Sequence, residues 1–256
     1  MPEAYDKDYS RYYDLLYSDK DYIAECDFIE KIFSRFSSHP VKSIFELGCG
    51  TGGHAIHFAR RGYDVAGIDL SDGMIAAAGE KARKAGLKVD FRVMDIRDVK
   101  MGRTFDACLS MFGVMGYITS TDELISAFRY IRKHLDNDSL FTLDFWNGLA
   151  VMHIKPESRV KEVTDGDIRV IRAATSQLDP VNHLCQVNYN LLVLRDQVIL
   201  EEIKEVHTVR FFFPQEMAHY LKDAGFRILH TCPFLELDKQ VDESWWNISM
   251  VATTAA

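Results

Sequence analysis

The sequence lacks the features that mark membrane, secreted and nucleic-acid-binding proteins. Its apolar stretches all fall short of the roughly 18 residues that a membrane-spanning helix needs. The polar, acidic first residues carry no basic flank or apolar run of the kind found in a secretory signal. Lysine and arginine number 30 against 38 aspartate and glutamate residues, and the net charge of -8 repels a phosphate backbone. We therefore expect a cytoplasmic protein whose partner is neither a membrane nor a nucleic acid.

Cysteine is also scarce, and none of the five cysteines stands at the CxxC spacing of redox pairs and zinc sites. This scatter predicts reduced, mostly buried thiols rather than a disulfide framework. His54 and His57 are three residues apart on a predicted helix, but no third ligand stands near them, so packing is the preferred explanation. No metal site is therefore predicted.

Short apolar runs alternate with amphipathic helical segments over much of the chain. After a helix at residues 21–36, buried strands are predicted at residues 43–47, 64–68, 88–94, 105–111 and 140–145. Helical periodicity between them predicts helices at residues 51–61, 72–85 and 122–135. This order is typical of a doubly wound α/β sheet, mostly parallel, with helices on both faces.

The pattern changes near Lys155, where period-two alternation begins and continues to Phe213. Turn signals at residues 179–182 and 195–197 divide this region, which predicts an antiparallel β insertion after the fifth strand. Pro214 then opens a helix that ends before Gly225. Two further strands, at residues 226–237 and 245–253, would complete a seven-stranded sheet at its edge. A single domain is expected, with the insertion spanning residues 151–213.

A glycine-rich turn directly follows the first predicted strand. Glu46 is followed by Gly48, Gly50, Gly52 and Gly53, and glycines allow the backbone to bend sharply and approach a ligand closely. The first, second and fourth of these glycines also satisfy GxGxxG. By spacing alone, the turn therefore leaves open a NAD(P)-dependent oxidoreductase.

Acidic residues at the ends of three consecutive predicted strands give further evidence on which ligand the turn binds. Asp69 follows the second strand, where a carboxylate can accept two ribose hydroxyls, and Asp95 follows the third, where it can meet the adenine amino group. Glu46 is a poor neighbour for a pyrophosphate but a good one for an ammonium or sulfonium group. Each acid alone is explained equally well as a helix cap. The three together with the glycine turn make helix capping alone an unsatisfactory explanation.

At these residues the sequence resembles the class I S-adenosylmethionine-dependent methyltransferases, whose glycine motif is acid-x-Gly-x-Gly-x-Gly on a Rossmann-like fold. The resemblance covers residues 43–145. It implies that the methionine part is held by Glu46, Gly48, Gly50 and Gly52. It also implies that Asp69 binds the ribose and that the Met111 backbone lies close to the sulfonium. Asp95 would form a hydrogen bond to adenine, and Leu70 and Ile96 would pack near the adenine ring.

A narrower resemblance is carried by Tyr13-Asp14, by Lys20-Asp21-Tyr22, by residues 110–117 and 163–168, and by Glu205-Val206-His207. These segments are similar to the bacterial N,N-dimethyltransferases of nucleotide-linked deoxyamino sugars. The resemblance implies that residues 1–40 form a helical lid, with Tyr13 and Tyr22 over the sulfonium and its carboxylate. Residues 41–150 would form the cofactor-binding core, residues 151–213 would shape the acceptor pocket and pair two subunits, and residues 214–256 would complete the sheet.

Methyl transfer from a sulfonium needs chiefly a neutral nucleophile held in line with the methyl carbon. An amine acceptor must lose a proton, which a tyrosine, histidine or carboxylate within hydrogen-bond reach can accept. Tyr13 and Tyr117 are the candidates for this role, and Tyr117 stands where the dimethyltransferases carry a histidine. For both tyrosines the alternative is packing beneath a loop. His207 is the isolated histidine most worth testing.

The expected function is methyl transfer from S-adenosylmethionine to a small acceptor, most simply the amino group of an amino sugar or a similar small amine. Phe145, Trp146 and Asn147 follow the fifth strand and would line the acceptor pocket. A small-molecule O-methyltransferase, an oxidoreductase and a non-catalytic S-adenosylmethionine-binding protein remain the alternatives, because a fold does not fix a function.

Overall fold

The structure, a computed structural model, describes residues 7–254, so the expected lid falls partly outside the described residues. The helices are α1 Lys7–Leu16, α2 Tyr22–Phe36, α3 Gly53–Arg60, α4 Asp72–Lys84, α5 Thr121–Arg132, α6 Gly148–Ile154 and α7 Pro214–Asp223. The strands are β1 Ser43–Leu47, β2 Asp64–Asp69, β3 Asp90–Val93, β4 Phe105–Ser110, β5 Leu135–Trp146, β6 Arg159–Asp165, β7 Ile168–Asp179, β8 Leu184–Arg195, β9 Val198–Arg210, β10 Phe226–Pro233 and β11 Asn247–Thr254. No helix among them combines the length and apolar character needed to cross a membrane.

The main sheet has seven strands in the order β10-β11-β5-β4-β1-β2-β3. Strands β1 to β5 pair in parallel, whereas β11 is antiparallel to both β5 and β10. One face of the sheet packs Phe45 and Phe141 with Phe128 of α5, and the other packs Ile44 with Phe58 of α3. The predicted Rossmann-like, mostly parallel sheet is confirmed. Its five parallel strands all end at one edge, where such sheets bind ligands.

The predicted antiparallel insertion is confirmed as a second sheet, in the order β6-β7-β8-β9. Helix α1 packs against this sheet, because Tyr9 and Leu16 share a buried cluster with Leu191 of β8 and Ile203 of β9. Met74 of α4 belongs to the same cluster. Helix α1 therefore lies between the insertion and the helix that follows the second strand of the main sheet.

Several predicted boundaries were wrong for identifiable reasons. The helix predicted at residues 122–135 ends at Arg132, because Leu135 already pairs with Phe105 as the first residue of β5. The strand predicted at residues 226–237 ends at Pro233, where Leu235 adopts a positive φ of 68° in a turn. Helix α1 falls within the expected helical lid of residues 1–40, whereas helix α6 was not predicted. The apolar residues of α6 directly follow β5, so they do not show a separate helical period.

Candidate active site

Neighbouring side chains pack closely against the glycine turn after β1 at two positions and leave it open at a third. Gly48, Gly50 and Gly52 all have positive φ, between 54° and 79°, which residues with a side chain rarely adopt. A Cβ atom on Gly48 would approach Val114 to 2.6 Å, and one on Gly52 would approach Phe91 to 2.9 Å. A Cβ atom on Gly50 would meet no atom within 4 Å. The open face of the turn is therefore at Gly50.

Asp69 ties this turn to the end of β2. Its Oδ2 accepts a hydrogen bond from the backbone N–H of Gly50 at 2.9 Å, and its Oδ1 accepts one from the N–H of Ser71 at 2.9 Å. Burial raises the pKa of Asp69, although these backbone donors oppose the shift. The carboxylate is thus placed beside the open face of the glycine turn, and its binding of ribose stays a prediction.

A buried chain of four charged groups lies beside the turn. Lys20 donates to both oxygens of Glu25 at 2.6 and 2.8 Å, and Glu25 Oε2 lies 2.6 Å from Nε2 of His54. Nδ1 of His54 lies 3.0 Å from Oε1 of Glu46, whose side chain is almost fully buried. Burial disfavours the charged imidazole, but the hydrogen bonds to Glu25 and Glu46 prevail and raise the pKa of His54 to about 9. His54 is therefore an imidazolium at neutral pH.

Glu46 keeps one oxygen unsatisfied in this chain. Its Oε2 is buried and has no hydrogen-bond partner among the described residues. A buried carboxylate oxygen without a donor is costly, so it marks a position for a ligand that donates hydrogen bonds. The ammonium group of the methionine part of S-adenosylmethionine has that chemistry.

The residues predicted to bind adenine are less well placed. Asp95 is half-buried, and its Oδ2 lies 2.6 Å from the guanidinium of Arg97, which lowers the pKa of the carboxyl group. Leu70 is exposed and Ile96 packs against the edge of the core. Met111 is buried directly after β4. The glycine turn, Glu46 and Asp69 fit S-adenosylmethionine, whereas both oxygens of Asp95 already accept hydrogen bonds from Arg97.

The predicted tyrosines of the lid lie together over the turn. Tyr22 contacts Gly53, where an added Cβ would come within 2.2 Å of its ring. Burial raises the pKa of Tyr22, and the rings of Tyr13 and Tyr17 lie 4.7 Å apart. Burial raises the pKa of Tyr13 well above its ordinary value, so its phenol stays protonated. Helix α1 and the start of α2 thus place a layer of tyrosines beside the glycine turn.

A pocket lies between the edge of the main sheet and the second sheet, and we call it the inter-sheet pocket. Its aromatic walls are Tyr17, Phe112, Tyr117, Trp146 and Tyr189. Asp144 and His207 are the ionisable groups in its lining that are not tyrosines. Burial raises the pKa of Asp144 to about 6, against hydrogen bonds from the backbone N–H groups of Gly113 and Phe112. A largely aromatic pocket therefore contains a buried carboxyl group.

One wall of this pocket holds a hydrogen-bonded chain of three side chains. The hydroxyl of Tyr117 lies 2.8 Å from Nδ1 of His207, and Nε2 of His207 lies 2.6 Å from Oε2 of Glu205. The side chains of His207 and Glu205 are each 1% exposed. Sequence reasoning selected Tyr117 and His207 as candidates, but it selected neither Glu205 nor Asp144 and did not predict the hydrogen bonds from Tyr117 to Glu205 through His207. Two features of the sequence could have identified them: Asp144 is an acid within the apolar run that ends β5, and Glu205 lies on the apolar face of β9.

The profile of a family described as a methyltransferase domain matches residues 44–138. A solved S-adenosylmethionine-dependent methyltransferase from Clostridium acetobutylicum shares the fold, with a TM-score of 0.83, 22% sequence identity, and 96% of this chain and 97% of that chain covered. The match at residues 44–138 is to a methyltransferase domain, for which S-adenosylmethionine is the cofactor, and the solved structure shows that the fold is shared. The oxidoreductase that the glycine spacing left open is therefore set aside.

Within this class, two relatives share a narrower likeness. The chain is 34% identical over 144 residues to dTDP-3-amino-3,4,6-trideoxy-alpha-D-glucopyranose N,N-dimethyltransferase of Streptomyces venezuelae, a match that covers 56% of this chain and 59% of that relative. It is 25% identical over 233 residues to dTDP-4-amino-2,3,4,6-tetradeoxy-D-glucose N,N-dimethyltransferase of Saccharopolyspora spinosa, with 88% and 87% covered. Both relatives are named for methylation of an amino sugar, in agreement with the resemblance noted in the sequence.

Proposed function

We propose that the chain transfers the methyl group of S-adenosylmethionine to the amino group of a small acceptor, of which a nucleotide-linked amino sugar is the leading example. The observation that carries this proposal is the position of one loop. Val114 in the loop after β4 packs against Gly48 of the glycine turn, while Tyr117 of the same loop lines the inter-sheet pocket. A cofactor on the turn and an acceptor in the pocket would therefore be neighbours.

The chemistry of the pocket supports an amine over a hydroxyl acceptor. Aromatic faces attract cations, and the buried carboxyl group of Asp144 can pair with an ammonium group. None of the described residues that line the pocket is a lysine or an arginine. Lys20 lies nearby, 4.2 Å from the ring centre of Phe112, but its ammonium group is paired with Glu25. The pocket is thus suited to a neutral or cationic amine.

Different residues of the chain would bind the cofactor and the acceptor. Glu46 and Asp69 would hold the cofactor at its ammonium group and ribose, and Tyr13 and Tyr22 would cover it from the lid. When bound, S-adenosylmethionine supplies a methyl group made electrophilic by the positive sulfur. Tyr117 would orient the acceptor nitrogen, and the aromatic walls would exclude water. Positioning of this kind can account for much of the rate of a bimolecular transfer.

An acceptor panel tests this function. The purified protein would be incubated with S-adenosylmethionine and with dTDP-linked amino sugars, small primary amines and the matching hydroxyl compounds, and products would be identified by mass spectrometry. We expect methylated amines and no methylated hydroxyl compounds. Methylation of hydroxyl compounds alone would contradict the proposal in favour of an O-methyltransferase. Binding of S-adenosylhomocysteine without any methylated product would favour a non-catalytic binding protein.

A further inference from the structure

The inner face of β9 carries two ionisable residues where apolar residues are expected. Buried residues alternate along this strand, and Glu205 and His207 lie on the same face as Ile203 and Val209. A carboxylate and an imidazole on an apolar face cost free energy unless they bond to each other or to a ligand. Here they bond to each other at 2.6 Å, and the imidazole also reaches Tyr117.

The order of donors along this chain follows from the chemistry of its members. A carboxylate only accepts hydrogen bonds, so the Nε2 atom that faces Glu205 carries a proton. In the neutral ring Nδ1 is then an acceptor, and the hydroxyl of Tyr117 donates to it. A phenolic oxygen has two lone pairs, so that of Tyr117, which lines the inter-sheet pocket, has the chemistry of an acceptor as well as of a donor.

We propose that Tyr117, His207 and Glu205 form a proton relay for the amine acceptor, an inference that rests on the proposed function. The acceptor ammonium gives one proton to the oxygen of Tyr117, while the phenol passes its own proton to Nδ1 of His207. The freed nitrogen lone pair then forms a bond to the methyl carbon as the carbon–sulfur bond breaks, and that electron pair stays on sulfur. Each methylation thus releases one proton from the acceptor.

Glu205 is a positioning residue in this scheme, because it acts through His207. It fixes the Nε2–H tautomer and stabilises the imidazolium that forms when Nδ1 accepts the proton. Other groups also face the imidazole: the ring of Tyr9 from α1 lies 6.1 Å away and that of Tyr189 from β8 lies 4.9 Å away. Arg172 of β7 lies 5.1 Å from the ring of Tyr189, and Asp144 of β5 lines the same pocket.

The tautomer of His207 can be tested without any acceptor. Protein labelled with nitrogen-15 histidine would be studied by NMR, with the signals of His207 assigned through the variant His207→Gln. We expect the neutral ring to carry its proton on Nε2, and the Nδ1 signal to shift in Tyr117→Phe, which removes the donor. A proton on Nδ1 would reverse the direction of the chain and overturn the relay.

Kinetics with dTDP-3-amino-3,4,6-trideoxyglucose then separate a relay from a structural role. Tyr117→Phe should lower kcat roughly 100-fold and Glu205→Gln roughly 10-fold near neutral pH, with little change in KM. Both losses should shrink as the pH rises to about 9, because more of the amine then reaches the pocket already deprotonated. Glu202→Gln is the matched control, since it removes an exposed carboxylate from the same strand.

The outcomes distinguish failure of the relay from failure of the proposed function. Losses that stay constant with pH, or an equal loss in Glu202→Gln, would overturn the relay while methylation of the amine by the unmodified protein still supports the proposed function. An unmodified protein that methylates no amine would overturn the proposed function itself. Binding of S-adenosylhomocysteine, measured by calorimetry, should be the same in all three variants if the relay serves only the acceptor.

Discussion

His54 Nδ1 lies 3.0 Å from Oε1 of Glu46, and this contact joins helix α3 to the end of β1. The other ring nitrogen of His54 bonds to Glu25 of α2. One buried imidazolium therefore holds two carboxylates and three elements together beside the glycine turn. Because Glu46 is also the proposed ligand of the cofactor ammonium group, the stability of this region and the affinity for the cofactor are expected to be linked.

The stability of the protein should depend on the charge of His54. The fold raises the pKa of His54 from 6.5 to about 9, so its contribution to the free energy of unfolding is fully present below pH 6.5. The contribution is lost as the pH rises through about 9, when two carboxylates face a neutral ring. Denaturant unfolding at a series of pH values should show this decline, and His54→Gln should remove it.

His57→Gln is the control for this experiment, because His57 lies on the same helix and its pKa is lowered rather than raised. That variant should keep the decline between pH 6.5 and about 9. A decline of the same size in His54→Gln would show that other groups cause the pH dependence.

Gly50→Ala should weaken cofactor binding more than it weakens the fold. The added Cβ meets no protein atom within 4 Å, so the expected loss of stability is about 1 kcal/mol, from the left-handed backbone alone. If the cofactor lies on this open face, the methyl group should lower the affinity for S-adenosylhomocysteine roughly 10-fold or more. Thermal unfolding and calorimetry measure the two effects separately.

Gly86→Ala serves as the matched control, because Gly86 has a similar φ of 67° and equally open surroundings at the end of α4. Gly86→Ala should lower the free energy of unfolding as much as Gly50→Ala does, and it should leave the affinity for S-adenosylhomocysteine unchanged. Equal affinities of the two variants for S-adenosylhomocysteine would show that the cofactor does not lie on the open face of the turn at Gly50.

Asp69→Asn should lower the affinity for S-adenosylhomocysteine roughly 10- to 100-fold, because hydrogen bonds to a charged acceptor contribute about 1.5 to 3 kcal/mol. The amide also has one acceptor oxygen where the carboxylate uses two, for Gly50 and Ser71. Asp64→Asn, at the exposed other end of β2, is the control and should bind normally. Unchanged binding by Asp69→Asn would remove this residue from the proposed ribose site.

Combining Tyr117→Phe with Glu205→Gln should cost no more than the worse of the two single substitutions. Residues that act as one unit give non-additive losses, since the relay is already broken once one member is removed. Single-turnover rates near neutral pH measure this directly. Losses that multiply in the double variant would show that the two residues act independently.

The fold of the core was predictable because its signals are local. Apolar runs, turn residues and acids at strand ends lie within a few residues of each other in the sequence, and the parallel sheet follows from their order. The start of β5 was not predictable, since Asp136 and Ser139 are polar and are held in the strand by hydrogen bonds from Thr254 and Thr253 to their carbonyl oxygens. Such pairing depends on residues more than a hundred positions away.

The candidate site also has one part that could be predicted from local sequence and one part that depends on distant residues. The glycine turn and Asp69 could be predicted because they lie in two successive strand-to-helix connections, which meet at the same edge of a parallel sheet. Tyr117 and His207 are 90 residues apart, and only the packing of the second sheet against the main sheet brings them together. The open oxygen of Glu46 also depends on His54 and Glu25, which belong to two different helices. The binding roles of the site residues and the pairing of subunits through the insertion remain predictions.

The atom that receives the methyl group tests the proposed function most directly. The amino sugar dTDP-3-amino-3,4,6-trideoxyglucose carries an amino group and a neighbouring hydroxyl group, so the two acceptors compete within one molecule. The protein would be incubated with this sugar and with S-adenosylmethionine that carries a carbon-13 methyl group, and the product would be analysed by NMR. We predict that the labelled methyl group is bonded to nitrogen. A labelled methyl group on oxygen would contradict the proposed amine function.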